Sequence, residues 1–193
     1  MKLIKSVSGI RGIYNTSLFQ HDIINFSRAF CKLQTSSTSP ILLARDSRES
    51  GSEIKKYIIQ TLNSLGRKVI DCDIIPTPTA QYIIDKFDIG GGIVITASHN
   101  PRQWNGMKFI DCDGIFFDEN KCKALFELAQ EEVQKDDYIH LKQVSKYPEA
   151  IDIHLQNVLV LHFLDIHKIK EKKFKIVLDT INGASCIGFN KLL

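Results

Sequence analysis

Short apolar runs recur along the chain, separated by segments with helical period. Residues 3–7, 40–44, 68–74, 92–96 and 174–178 are dense in Ile, Leu and Val rather than alternating with polar residues. Strands covered on both faces of a sheet read this way. A sixth run, 107–110, follows the fourth after a short loop and is expected to pair antiparallel with a neighbour. Between the runs, residues 22–33 place Ile23, Phe26, Ala29, Phe30 and Leu33 on one stripe. Residues 53–65 do the same with Ile54, Ile58, Leu62 and Leu65, and Gly66 is the expected C-cap. A helix over 79–87 follows the turn Pro76-Thr77-Pro78, and one over 118–133 carries Cys122, Leu125, Phe126 and Ala129. This alternation predicts an α/β fold, with a mixed, mostly parallel sheet and helices on both faces.

Residues 134–147 lose the apolar period, and Pro148 opens an amphipathic helix with Ile151, Leu155, Val158, Leu159 and His162 on one face. A domain boundary is therefore expected near Tyr147. Residues 1–147 make one domain, and 148–193 the incomplete start of a second. No internal repeat is visible, and the Ser/Thr cluster at 35–39 reads as a loop.

Composition narrows the function classes. The chain has 193 residues, 44% apolar and 24% charged, which is ordinary for a soluble globular protein. The net charge of +3 is small and dispersed; the densest basic run, 168–175, is interrupted by Glu171. No nucleic-acid face is expected without a clustered basic stripe. The five cysteines are odd in number and form no C-x-x-C pair, so a disulfide framework or zinc site is not expected. No secretory signal opens the sequence, and no apolar stretch approaches the ~20 residues of a membrane span. Reduced thiols in a cytoplasmic, membrane-free protein follow as the expectation.

Candidate chemistry concentrates in residues 90–108, G-G-G-I-V-I-T-A-S-H-N-P-R-Q-W-N-G-M-K. A buried strand ending at Thr96 would deliver Ser98 onto a loop beyond its carboxyl end, where α/β sheets place ligands. Asn100-Pro101 stops strand and helix alike, and Asn105-Gly106 reads as a tight turn that returns Lys108 toward the loop. A hydroxyl, an imidazole (His99), an amide (Asn100) and an ammonium are thus gathered on one excursion. Spacing alone leaves open a polar surface loop that happens to hold Ser and His. A serine hydrolase triad is disfavoured, because no G-x-S-x-G elbow is present.

The run Thr96-Ala97-Ser98-His99-Asn100-Pro101, with Asn105-Gly106 and Lys108, resembles the active-site signature of the α-D-phosphohexomutase superfamily. Three segments agree in order: Ser8-Gly9-Ile10-Arg11-Gly12, Arg45-Asp46-Ser47-Arg48-Glu49-Ser50-Gly51 (with Ala44 where that family usually has Gly) and Pro76-Thr77-Pro78. Residues 177–184 resemble the opening strand of the family's second domain. The start L-I-K-S-x-S-G-I-R-G and Arg102-Gln103-Trp104-Asn105 most resemble the bacterial phosphoglucosamine mutase branch.

The resemblance implies an isomerase working by phosphoryl shuttle. Ser98 would be phosphorylated and pass its phosphoryl group to a hydroxyl of a hexose monophosphate, such as glucosamine phosphate. The hexose bisphosphate intermediate, also the activator, would return its other phosphoryl group. Arg11, His99 and Lys108 would surround the transferring group, and Ser8, Arg11, Asn100, Lys108 and Arg45 would bind substrate or phosphate. A phosphoserine carries about −1.5 to −2 charge, so cations are needed nearby. His99 or Lys108 would take the attacking hydroxyl's proton. Arg11 is expected in a Gly-flanked loop, where close approach to a phosphate is possible.

The family also implies Mg2+, bridging the Ser98 phosphate and three aspartates that have no counterpart here. The segment Asp111-Cys112-Asp113-Gly114 is read as a turn, not as the D-G-D-x-D-R metal loop. Asp71 and Asp73 read as strand residues facing solvent. Arg45 and Arg48 either pair with Asp46 or Glu49 or contact substrate; Trp104 covers the loop or simply packs. His154, His162 and His167 lack helical metal spacing and are expected at or near the surface. Such enzymes have four domains and more than twice this length. The chain alone is therefore expected to lack turnover, the other domains coming in cis or from a partner chain. A non-catalytic remnant or interaction module is the alternative.

Overall fold

The computed structural model describes residues 2–130 and 143–193. One sheet runs through the fold. The hairpin of β1 (Ile4–Ser6) and β2 (Gly9–Ile13) forms one edge, followed by β6 (Trp104–Ile110), β5 (Gly92–Ile95), β3 (Ile41–Arg45) and β4 (Val69–Ile74), with β7 (Val144–Lys146) on the far edge. The β3–β4, β3–β5 and β4–β7 pairs are parallel, and β1–β2, β2–β6 and β5–β6 are antiparallel. Strands β2, β3, β4, β5 and β7 therefore share one direction, and β1 and β6 oppose it. The sheet is mixed and mostly parallel, as its apolar runs predict.

The two-residue period of a strand distributes the core. Ile41 and Leu43 of β3 enter one cluster with α1 (Gln20–Lys32), α2 (Gly51–Ser64) and α4 (Glu119–Leu128). Leu42 and Ala44 enter the other with α3 (Thr77–Lys86) and the first turn of α5 (Ala150–Leu159). Phe30 is fully buried, its ring 5.8 Å from Phe109 and 5.6 Å from Phe117. Burying each such side chain contributes roughly 1.5–3 kcal/mol. Local signals set the helix ends. Asp22 accepts the Phe19 N–H at 2.9 Å, and Asp118 caps α4 by accepting the Lys121 N–H at 2.7 Å. Gly66, with φ +73, follows α2 as expected, its N–H donating to the Asn63 carbonyl.

Several expectations change in the fold. The first run is not a buried strand: β1 is a three-residue edge strand, and Ile4 is 46% exposed. Strand β2 was not anticipated, and it takes Arg11 out of a loop and into the sheet, paired with Gly106. Asn105 and Gly106 are not a turn but lie inside β6; the chain reverses earlier, where Trp104 N–H donates to the Pro101 carbonyl at 2.9 Å. Residues 174–178 form no strand, and Val177 is 99% exposed. No strand among the described residues lies beside them, and an isolated extended segment has no ladder to hold it. Helix α5 ends before His162, which is exposed. Helix α4 stops at Leu128, short of the expected 118–133, of which 131–133 fall outside the described residues together with most of the polar stretch at 134–147; within the remainder, β7 pairs with β4. Among the described residues, no helix is long and apolar enough to cross a membrane.

Candidate functional site

Strand β5 ends at Ile95, and the buried Thr96 and Ala97 carry the chain to an exposed Ser98. The Thr96 hydroxyl accepts the Ser98 N–H at 3.0 Å, and the Ala97 carbonyl accepts the Asn100 N–H at 3.1 Å. The turn so formed sets Ser98 at φ +55, the left-handed region. That conformation costs a residue with a Cβ about 1–2 kcal/mol, and such strain gathers at functional sites. Ser98 Oγ and His99 Nδ1 are 3.5 Å apart, the outer limit of a hydrogen bond.

Two cations share one face of neighbouring strands, and one of them bonds to this loop. Ile10, Met107 and Phe109 belong to the first core cluster, so strand alternation turns Arg11 and Lys108 to the opposite face. Arg11 Nη1 donates to Asn100 Oδ1 at 3.1 Å. Lys108 Nζ lies 5.0 Å from the centre of the Phe116 ring, a cation–π geometry. Burial, and after it the Arg11 charge, holds the Lys108 pKa below its ordinary value of 10.5.

This has a measurable consequence for stability. Between the lowered folded pKa and 10.5 the unfolded chain binds more protons, so the Lys108 contribution to stability rises with pH through that window. Below the folded pKa the penalty for its charge is complete. Lys108→Met should therefore raise the urea midpoint relative to the parent at about pH 7, with the advantage shrinking toward pH ~10. An equal advantage at both pH values would rule out the cost of the buried charge as its cause.

The other predicted residues lie elsewhere. Ser8 is exposed on the β1–β2 turn, its N–H donating to Ser6 Oγ at 3.2 Å. Arg45 Nε binds Asp73 Oδ1 at 2.7 Å, and its Nη1 reaches only the Asp46 carbonyl, at 3.2 Å. Its ion-pair partner is therefore neither the Asp46 nor the Glu49 carboxylate. Asp71 and Asp73 are not idle solvent-facing residues: Lys55 Nζ binds them at 2.8 and 2.9 Å, and Asp71 is buried. A register shift between Leu43 and Ala44 leaves Cys72 as the extra residue in β4, and Asp73, next to it, takes φ +53. Burial works against the Asp73 charge, but hydrogen bonds from Lys55 and Arg45 outweigh it and lower its pKa. Arg48, only three residues beyond Arg45, pairs with Asp46 and also reaches the serine loop. Nothing in the local sequence separated these two arginines. His154 is partly buried, bonded through Nδ1 to Thr79 Oγ1 at 2.9 Å and stacked on Tyr82, and burial lowers its pKa.

The residues near Ser98 do not suit a divalent metal. They are Arg11, Arg48, His99 and Asn100, none of them a carboxylate, whereas Mg2+ needs carboxylate oxygens. Among the described residues no group of three His, Cys, Asp or Glu side chains could hold an ion. The 111–114 segment is the turn the sequence predicts, with Gly114 at φ +75 and Asp111 paired with Lys121.

Known proteins share both the sequence and the fold. A phosphoglucosamine/phosphogalactosamine mutase from Sulfurisphaera tokodaii is 34% identical over 183 residues, covering 93% of this chain and 39% of the relative. A phosphoglucomutase/phosphomannomutase from Thermococcus kodakarensis is 32% identical over 201 residues, covering 96% and 41%. The chain thus spans about 40% of the length of such curated relatives. Among solved structures, parafusin, a phosphoglucomutase from Paramecium, superposes with a TM-score of 0.76 at 18% identity, over 97% of this chain and 40% of that one. The family model for phosphoglucomutase/phosphomannomutase, alpha/beta/alpha domain I, matches residues 2–136. The serine loop at the end of β5 lies within that match, and the chain belongs to the phosphoglucomutase/phosphomannomutase family.

Proposed function

We propose that this chain carries the phosphoserine-bearing part of a phosphohexomutase, with residues 1–147 as the serine domain and 148–193 opening a second. The observation that carries the reading is Ser98, exposed on a strained turn, with Arg11 bonded to the same loop and Lys108 on the same sheet face. Phosphoryl transfer is largely positioning and charge stabilisation, and this group of side chains suits both. In the reaction, a hydroxyl of a hexose monophosphate attacks the phosphorus on Ser98. The bond from phosphorus to Ser98 Oγ breaks, a bond to the sugar oxygen forms, and the hydroxyl proton passes to His99 or Lys108. The bisphosphate then returns its other phosphoryl group to Ser98. Arg11 and Lys108 oppose the charge of the phosphate. The names of the relatives span glucosamine, galactosamine, glucose and mannose phosphates, so the substrate class is a hexose phosphate; the resemblance at the start of the chain favours glucosamine phosphate. Mg2+ would need carboxylates other than the described residues near Ser98, and Ser8 and Arg45 would act on parts of the sugar distant from the transfer.

The test is phosphoryl uptake by the purified chain from a hexose 1,6-bisphosphate with magnesium, read by intact mass and peptide mapping. One phosphoryl group on the Ser98 peptide, without sustained interconversion of 1- and 6-phosphates, is expected. No phosphate on Ser98 would leave an interaction module that keeps the fold without the chemistry. Sustained interconversion would overturn the inactivity of this segment alone.

A further inference from the structure

Arg48 directs all five of its side-chain N–H donors at the serine loop and its anchor. Nη2 donates to the carbonyls of Ser98 (2.8 Å) and Asn100 (2.7 Å), and Nη1 to those of Pro101 (2.7 Å) and Trp104 (3.0 Å). Nε donates to Asp46 Oδ2 at 3.0 Å, while Asp46 Oδ1 accepts the backbone N–H of Arg48 at 3.0 Å. Asp46 is itself tied to the end of β5, its N–H donating to the Ile95 carbonyl at 3.0 Å. The Arg48 side chain is 12% exposed. A guanidinium has five donors in a fixed planar fork, and here each has an acceptor.

We propose that Arg48 is the positioning residue that holds the serine loop in its left-handed shape. Its consequence for phosphoryl transfer rests on the reading of Ser98 as the carrier; its consequence for the loop does not. Two physical effects follow from the geometry. The four carbonyls gathered on one cation span the whole excursion from Ser98 to Trp104, so the turn cannot open without breaking several charge-assisted hydrogen bonds. Those same carbonyl dipoles, which would repel a phosphate dianion, are neutralised by the guanidinium. Lysine cannot replace it, because three donors on one atom do not reach four carbonyls spread along a loop.

The test is amide hydrogen exchange of the full chain, comparing the parent with Arg48→Lys, Arg48→Ala and Asp46→Asn. The reporting amides are those of Ser98, Asn100 and Trp104, whose hydrogen bonds exist only while the loop is closed. Each charge-assisted bond lost should speed their exchange about ten- to a hundredfold, while amides in the middle of β3 and α2 keep the parent's rates. Millimolar guanidinium ion should slow loop exchange in Arg48→Ala, since it restores the fork. Loop exchange at the parent's rate in Arg48→Lys, or acceleration spread evenly over the domain, would overturn the proposal. If the Arg48 variants do not fold, Asp46→Asn decides it, because it loosens the fork's anchor and leaves the arginine in place; unchanged loop exchange there would overturn the proposal equally. Ser98 phosphorylation in Arg48→Lys should be at least about tenfold slower, and a parent rate with a loosened loop would refute the functional half. A parent chain that takes up no phosphate, with a loop that still loosens in Arg48→Lys, would refute the carrier reading and leave the clamp intact.

Discussion

Ser98→Gly should take up no phosphoryl group and yet fold at least as stably as the parent. The variant loses the hydroxyl oxygen that would carry the group. It also loses the Cβ that makes φ +55 costly. Relief of a left-handed residue is worth about 1–2 kcal/mol, and the extra freedom of glycine in the unfolded chain takes back about 0.4–1 kcal/mol. A net gain of roughly 0 to 1.6 kcal/mol follows from those two figures. Ser98→Ala is the matching control. It keeps the Cβ and the strain, and it removes only a long contact to His99, so its stability should stay within about 0.5 kcal/mol of the parent. Urea unfolding of the three chains, together with intact mass after exposure to the bisphosphate, reads both effects. A glycine variant less stable than the alanine variant would mean that no strain is stored at this position.

Gly106→Val should be among the most damaging single substitutions in the sheet. A Cβ at Gly106 would lie 2.1 Å from the Ile10 carbonyl oxygen and 3.1 Å from the Arg11 Cα. Both obstacles are backbone atoms of β2, so no side chain can move aside to make room. The β2–β6 pair would have to separate or shift register, and either movement withdraws Arg11, the direct partner of Gly106, from Asn100. The cost is placed at roughly 4–5 kcal/mol, the extreme of single substitutions, against a total stability of about 5–15 kcal/mol. Gly66→Ala provides the contrast: it has φ +73 but open space around a Cβ, so only the local backbone penalty of about 1 kcal/mol applies. Similar thermal and urea midpoints for Gly106→Ala and Gly66→Ala would show that close strand approach is not why glycine occupies position 106.

The elements legible in the sequence were those whose signal lies within one continuous segment. Helices α1, α2 and α4 show their apolar stripes without help from the rest of the chain, and Gly66 and Asp118 mark helix ends by local backbone chemistry. Strand β3 is an unbroken apolar run because both of its faces are covered. Ser98 was legible too, since its loop is a contiguous signature at the end of such a run. Arg11 and Lys108 were legible as residues, but not as occupants of one sheet face, because that depends on β2 crossing to β6.

The misreadings share a cause. Asn-Gly means a turn only where the flanking segments pair with each other. Here Asn105 is buried, its Nδ2 donating to Ser50 Oγ at 2.9 Å, and Gly106 makes room for β2. Residues 174–178 have the composition of a strand, but a strand exists only by hydrogen bonding to another, and none lies beside them among the described residues. Arg45 and Arg48 are chemically identical and three residues apart. An extra residue in β4 brings Asp73 to the first, and the end of β5 brings Asp46 and four loop carbonyls to the second. Periodicity and contiguous motifs were thus sufficient for the fold class, for α1, α2 and α4, and for the position of the Ser98 loop after a buried strand, because these follow from propensity and burial along the chain. Which cation serves the loop, which glycine admits a neighbouring strand and which apolar run becomes a strand were settled by contacts between distant segments, which local sequence does not encode.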